Sequence, residues 1–129
     1  MNKTHSILII DDSPHMRILL ARLLKNRGFE KVESAENGAL GLAKFKVQHP
    51  QIVFLDGIMP EMDGLTVLRE IKKTDPETII IMTTSLSGRE KVLEFKLAGA
   101  NFYLLKPFED NKFDETLQKA LATLEQRST

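Results

Sequence analysis

Four short stretches carry side chains whose chemistry exceeds what packing needs. They are the acid pair Asp11-Asp12, the lone Asp56, the hydroxyl run Thr83-Thr84-Ser85, and Lys106 ahead of Pro107. Three carboxylates gathered at one place repel one another, and a hard divalent cation that takes oxygen ligands relieves the repulsion. Mg²⁺ suits such a site, because it keeps several waters and readily shares phosphate oxygens. A lysine ammonium and a threonine hydroxyl beside them are suited to an added phosphoryl group. A carboxylate can itself be the nucleophile and become an aspartyl phosphate. Catalysis then rests on positioning and on neutralising charge around the transferred group. Loop composition explains any one of these stretches; it does not explain all four falling at equivalent places.

The equivalence comes from what precedes them. Each follows a short aliphatic run: Ile7-Leu8-Ile9-Ile10, Ile52-Val53-Phe54-Leu55, Ile79-Ile80-Ile81-Met82 and Phe102-Tyr103-Leu104-Leu105. Continuous runs of this length, rich in β-branched residues, predict strands buried on both faces. A weaker run, Lys31-Val32-Glu33-Ser34, predicts an edge strand. Helical periods fill the gaps. Ser13 is placed to cap a first helix with Pro14 in its first turn, the stripe Met16, Leu19, Leu20, Leu23, Leu24 turned inward and Gly28 at its stop. Leu40, Ala43 and Val47 make a weaker second helix, ended by Pro50, and Leu65, Leu68 and Ile71 mark a third. Val92, Phe95 and Ala98 mark a fourth, and Phe113, Leu117, Leu121 and Leu124 a fifth. Arg69, Lys72 and Lys73 read as the wet face of the third. Strands alternating with helices predict an α/β fold with a five-stranded parallel sheet, doubly wound, in the flavodoxin-like (βα)5 order 2-1-3-4-5. Ligands of such sheets bind outside the carboxyl ends of the strands, which is where the four stretches stand. The pattern predicts one domain over 1–129, with no output domain expected.

Composition narrows the classes. Eighteen basic residues balance eighteen acidic ones, for a formal net charge of zero. That argues against a general nucleic-acid binder. Cysteine is absent, which removes disulfides, thiol catalysis and Cys-ligated zinc together and fits a reducing, cytoplasmic setting. The aliphatic runs are far too short to insert in a membrane. His5, His15 and His49 are scattered without metal-ligand spacing, and no Gly-Lys-Ser/Thr follows Gly38 and Gly41 to make a phosphate loop.

Asp11-Asp12, the stretch Asp56-Gly57-Ile58-Met59-Pro60-Glu61-Met62-Asp63-Gly64, Thr84-Ser85 and Lys106-Pro107-Phe108 together resemble response-regulator receiver domains, most closely the single-domain chemotaxis type. The resemblance covers essentially the whole chain. A chemotaxis receiver is a standard example of the 2-1-3-4-5 order, so the strand order and the family are one expectation. The resemblance implies that Asp56 is the phosphoacceptor. It makes Asp12 a direct Mg²⁺ ligand, Asp11 a ligand through water, and the Ile58 backbone carbonyl a further ligand. Thr84 becomes the switch hydroxyl, Lys106 the phosphoryl-binding cation and Tyr103 the switch aromatic. It further implies a cis bond between Lys106 and Pro107.

The function so implied is a phosphorylation-activated switch of two-component signal transduction. A sensor histidine kinase donates the phosphoryl group, and the modified domain contacts a target protein. That target is a flagellar motor switch in the chemotaxis reading, or a His phosphotransfer protein if the chain is a phosphorelay intermediate. A separate phosphatase is a further expected partner; nucleic acid and membrane insertion are not expected. The expected target face is helix 4, strand 5 and helix 5, near residues 88–98, 101–105 and 112–124. Such a domain is no enzyme beyond catalysing its own phosphorylation and slow self-dephosphorylation. The alternative from another class is a Mg²⁺-dependent phosphatase working through an aspartyl phosphate. Enzymes of that type need Asp-x-Asp after strand 1, and here Ser13 stands two places after Asp11. A flavin or nucleotide carrier on the same fold conflicts with three carboxylates and no glycine-rich anion loop. Ile58 and Leu86 occupy positions that often carry polar side chains influencing hydrolysis; both are apolar here, which predicts a long-lived phosphoryl group.

Overall fold

The computed structural model describes residues 4–127. Five strands, β1 (Ile7–Ile10), β2 (Val32–Ala35), β3 (Ile52–Leu55), β4 (Ile79–Thr84) and β5 (Phe102–Leu105), alternate with five helices. These are α1 (Pro14–Asn26), α2 (Gly38–Gln48), α3 (Gly64–Thr74), α4 (Arg89–Leu97) and α5 (Asp110–Arg127). The sheet is parallel throughout in the order β2-β1-β3-β4-β5, as the alternation predicts. β2 lies at an edge, one residue later than its sequence run suggests, because Ala35 rather than Lys31 completes its buried face.

Alternation along the strands builds two cores. Ile7, Ile9, Phe54 and Ile81 face α1 and α5, where Leu20, Leu24, Phe113 and Leu117 cover them. Leu8, Ile10, Val53 and Ile80 face the other side, covered by Phe45, Val67, Leu68, Ile71 and Phe95. Local chemistry fixes where the helices begin. Ser13 Oγ accepts from Met16 N, Asn37 Oδ1 from Leu40 N and Asp63 Oδ1 from Thr66 N, each satisfying an amide that the first turn would leave unpaired.

The apolar residues that mark the second helix lie in it but are not its buried face: Leu40, Ala43 and Val47 are exposed, Val47 to 81%. α2 instead buries Gly38, Gly41 and Phe45. A β-carbon on Gly41 would lie 2.6 Å from Ile10 Cδ1, so the missing side chain lets α2 close directly onto β1. Lys72 is likewise not part of a wet face. It is half-buried, and its Nζ donates to Thr78 O at 2.6 Å and to Asn101 Oδ1 at 2.9 Å.

Candidate functional site

The carboxyl ends of β1, β3, β4 and β5 bring the four chemical stretches together. One oxygen each from Asp11, Asp12 and Asp56 lies within 4.8 Å of the others. Asp11 is 1% exposed and Asp56 6%, whereas Asp12 faces solvent. The Lys106 ammonium is 2.7 Å from Asp11 Oδ2 and 3.7 Å from Asp56 Oδ2, so one cation is shared by the two buried acids of the three. Lys106 directly follows β5, and the bond from it to Pro107 is cis, as the resemblance implies.

The backbone aims these groups. Asp11 Oδ1 accepts from Ser13 N at 2.9 Å, which turns the chain from β1 into α1. The position where a phosphatase of the alternative class would carry its general acid is thus a helix cap. Arg17, one turn into α1, donates from Nη1 to the Asp11 carbonyl at 2.8 Å and ties the helix to the acid pair. Asp56 Oδ1 accepts from Ile58 N at 3.1 Å. Gly64 N donates to Gly57 O, and a β-carbon on Gly64 would collide with the Asp56 carbonyl, so glycine is required for α3 to start this close to the site.

Electrostatics show that the cluster is short of positive charge. Burial first, and then the Asp11 charge, push the Asp56 carboxyl up to about 7; the Ile58 amide and Lys106 oppose the shift without cancelling it. A side-chain hydrogen bond with Asp12 adds to the rise. Three clustered oxygen donors with a buried carboxyl held toward its neutral form are what a hard divalent cation would correct, so the residues present fit one.

The remaining expected residues fall around this cluster. Thr84 is fully buried at the end of β4, and its Oγ1 accepts from Leu86 N at 3.3 Å. Thr83 turns to the opposite face, and its Oγ1 contacts Ile81 O of its own strand. Tyr103 is half-buried, its hydroxyl donating to Leu86 O at 2.7 Å and its ring 6.2 Å from that of Phe95. Burial raises the Tyr103 phenol pKa. Ile58 stands out into solvent at 52% exposure, while Leu86 packs with Tyr103 on the α2–α4 side of the core. The two expected hydrolysis-rate positions therefore differ: one borders open solvent and the other is built into the wall. His15 is exposed on α1. Sequence patterns make Phe95 a marker of the fourth helix but do not reveal its contacts or those of Arg17, because these span elements that only the fold brings together.

The response regulator receiver domain family matches residues 7–118. The chain belongs to that family. This receiver is 41% identical over 117 residues to the chemotaxis protein CheY of Bacillus subtilis, covering 91% of this chain and 98% of that protein. Among solved structures it is similar to CheY4 of Vibrio cholerae, with a TM-score of 0.85 and 31% identity over 91% of this chain and 98% of that one. It is also similar to a chain in the CheX–CheY–BeF3–Mg²⁺ complex from Borrelia burgdorferi, with a TM-score of 0.87 and 28% identity over 91% and 89% of the two chains. The receiver is thus a phosphorylation-activated response regulator of two-component signal transduction. No helix among the described residues is long and apolar enough to cross a membrane.

Proposed function

We propose that Asp56 accepts the phosphoryl group, that Asp12, Asp11 and the Ile58 carbonyl join it in holding Mg²⁺, and that the output is a chemotaxis-type protein contact. The observation that carries this reading is one ammonium, Lys106, set between two buried carboxylates beside a third that faces solvent. Ionised Asp56 attacks the phosphorus of a phosphohistidine on a sensor histidine kinase. A carboxylate oxygen–phosphorus bond forms as the nitrogen–phosphorus bond breaks, and the histidine keeps the electron pair. Lys106, 3.7 Å from Asp56 Oδ2, is within reach of an oxygen of the incoming group, and the Ile58 amide holds Asp56 Oδ1 away from the reaction. Bound Mg²⁺ supplies the positive charge that the cluster lacks and that the transferred group needs.

The same residues account for a switch. Thr84 Oγ1 accepts a long hydrogen bond from Leu86 N, and its own hydroxyl proton can be donated to a phosphoryl oxygen on Asp56, a charged acceptor that draws it inward. Moving Thr84 moves Leu86, and the Leu86 carbonyl holds the Tyr103 hydroxyl. The phosphoryl group thereby acts on β5 through one segment of chain, which gives it the differential contact that a switch needs. The face beside that segment carries exposed Leu93, Leu97 and Leu105, and it is the face proposed for the target. A relative that matches over nearly its whole length is a chemotaxis protein, which supports a flagellar motor switch as the target rather than a His phosphotransfer protein. The neighbour found in a complex with CheX, BeF3 and Mg²⁺ supports a further protein partner. A cytoplasmic location fits this reading.

The test is mass spectrometry after incubation with acetyl phosphate and Mg²⁺. The expected result is one added phosphoryl group, located on Asp56 and missing from Asp12→Ala and from protein kept in chelator. Full labelling of Asp12→Ala would remove the acid pair from the mechanism.

A further inference from the structure

α4 is held to the rest of the molecule by little. Its N-cap, Gly88, makes no side-chain hydrogen bond, and of its nine residues only Phe95 is fully buried. A groove of about 150 Å³, lined in part by Val92, Lys96 and Tyr103, separates α4 from β5. The single anchor lands on the phosphorylation site. A β-carbon on Gly57, the residue after Asp56, would lie 3.0 Å from Phe95 Cζ and 3.0 Å from Thr84 Oγ1. The tip of the Phe95 ring therefore occupies the seat that a side chain at position 57 would take, next to the Thr84 hydroxyl. The side of the ring lies against Tyr103, with centroids 6.2 Å apart and planes at 52°. The Phe95 ring and the Thr84 hydroxyl thus border the same space over Gly57, the ring lies beside Tyr103, and it is the anchor of α4.

We propose that Phe95, seated against side-chain-free Gly57, is the positioning residue that couples α4 to the phosphoryl state of Asp56. The inference rests on Asp56 being the phosphoacceptor. When Thr84 Oγ1 is drawn toward a phosphoryl oxygen, the wall beside the ring tip moves. With one buried anchor and a loose flank, α4 follows its anchor. Tyr103 receives the same displacement from two sides, through the Leu86 carbonyl and through the ring. Close-packed contacts of this kind pass on discrete shifts because they cannot deform smoothly.

The chain supplies a clean probe. Tyr103 is the only tyrosine and there is no tryptophan, so intrinsic emission reports the switch aromatic alone. The experiment uses the full chain with Mg²⁺ and saturating beryllofluoride, a phosphoryl mimic. It reads Tyr103 emission and amide exchange across residues 89–97, with acetyl phosphate labelling of Asp56 measured separately. In the wild type, beryllofluoride changes both readouts. In Phe95→Leu, labelling stays within about twofold while both responses shrink by about threefold or more. Gly57→Ala presses on the ring from the other side and also shrinks the responses. The double variant Gly57→Ala with Phe95→Leu recovers part of the loss, because the smaller side chain vacates the seat; a purely structural role for Phe95 predicts additive damage instead. Unchanged responses in Phe95→Leu overturn the proposal. Should that variant not fold, unchanged responses in Gly57→Ala overturn it alone. Absence of label on wild-type Asp56 is a different failure: it removes the phosphoacceptor reading, and the coupling falls with it.

Discussion

The two ends of the sheet handle buried charge in opposite ways. At the amino ends of β4 and β5, the Lys72 ammonium is shared among Pro76 O, Thr78 O and Asn101 Oδ1, and Asn101 Oδ1 also accepts from Ile80 N. Arg127 ties α5 to the same turn through Glu77. One cation there meets several neutral acceptors, and the starts of β4 and β5 are laced to α3. At the carboxyl ends, three carboxylates meet one ammonium and Asp56 is held toward its neutral form. The amino end ties its buried cation into the fold through neutral acceptors, at a cost in desolvation, and the other end gathers like charges that a ligand can offset. A receiver needs that division, because a site already balanced would have nothing to gain from Mg²⁺ or a phosphoryl group.

The largest test of this contrast is Asp56→Asn. It should cut acetyl phosphate labelling by about 10³-fold or more, since the nucleophile is gone. In metal-free buffer at pH 8 it should also raise the melting temperature by about 3–8 °C, because it removes a buried charge with too few partners. A loss of function joined to a gain of stability separates a stressed site from a merely structural acid. A lower melting temperature would show that the carboxyl end is balanced after all.

The next effect is the pH dependence of that difference. With its pKa at about 7 in the fold and near the ordinary 3.8 when unfolded, Asp56 binds its proton more tightly in the folded state. Stability from this group is therefore fully present below the unfolded value and is lost as pH rises toward 7, at up to about 1.4 kcal/mol per pH unit. The gap between wild type and Asp56→Asn should open across that window in chelator and narrow with Mg²⁺, which favours the ionised form. Lys72 has the opposite sign. Burial, and then the Arg127 charge, push it down to about 8 from 10.5, so its share of stability rises as pH climbs between those values. Calorimetry of the wild type, Asp56→Asn and Lys72→Met across pH 4–10 checks both slopes.

At the amino end, Lys72→Met keeps the aliphatic stem but leaves Thr78 O and Asn101 Oδ1 short of a donor. The expected cost is about 2 kcal/mol at pH 7, read from urea unfolding, with Asp56 labelling within about twofold of wild type. A large loss of labelling would mean that the two ends are coupled rather than divided.

Much of this was legible in the residue order. The runs 52–55 and 79–82 are apolar at every position, a pattern that a buried parallel strand satisfies and a surface element does not. The acids, Thr84 and Lys106 stand directly after such runs, so their convergence followed from the topology. The buried face of α2 was not legible, because Gly38 and Gly41 add nothing to an apolar count while Gly38 lets the helix close on α3 and Gly41 on β1. Lys72 was misread because its type signals solvent, and only the crossing of α3 over β4 and β5 supplies acceptors for it. Phe95 was legible as core but not as a neighbour of Gly57. Nothing in either residue's surroundings along the chain links positions 57 and 95.

The smallest expected effect lies within the carboxyl end itself and concerns how long the mark lasts. Hydrolysis of phospho-Asp56 needs a water in line with the leaving carboxylate oxygen, on the outer face of the phosphoryl group. Ile58 projects from that rim into solvent, while Leu86 is packed against the core beside Tyr103. Neither side chain can hold a water by a hydrogen bond, so the attacking water must be ordered without help from them. Polar groups there should shorten the lifetime by about tenfold, equivalent to about 1.4 kcal/mol of barrier. The structure divides that effect unequally. Ile58→Asn places its amide at the open rim and should account for most of the acceleration. Leu86→Glu must first leave the wall, so it should contribute less and should also disturb the Leu86 carbonyl that holds Tyr103. Decay of radiolabelled protein in excess Mg²⁺ gives the rates for both single variants and the double variant. If the double variant decays no faster than wild type, water ordering at these two positions does not set the lifetime, and the stored charge at this end is released by another route.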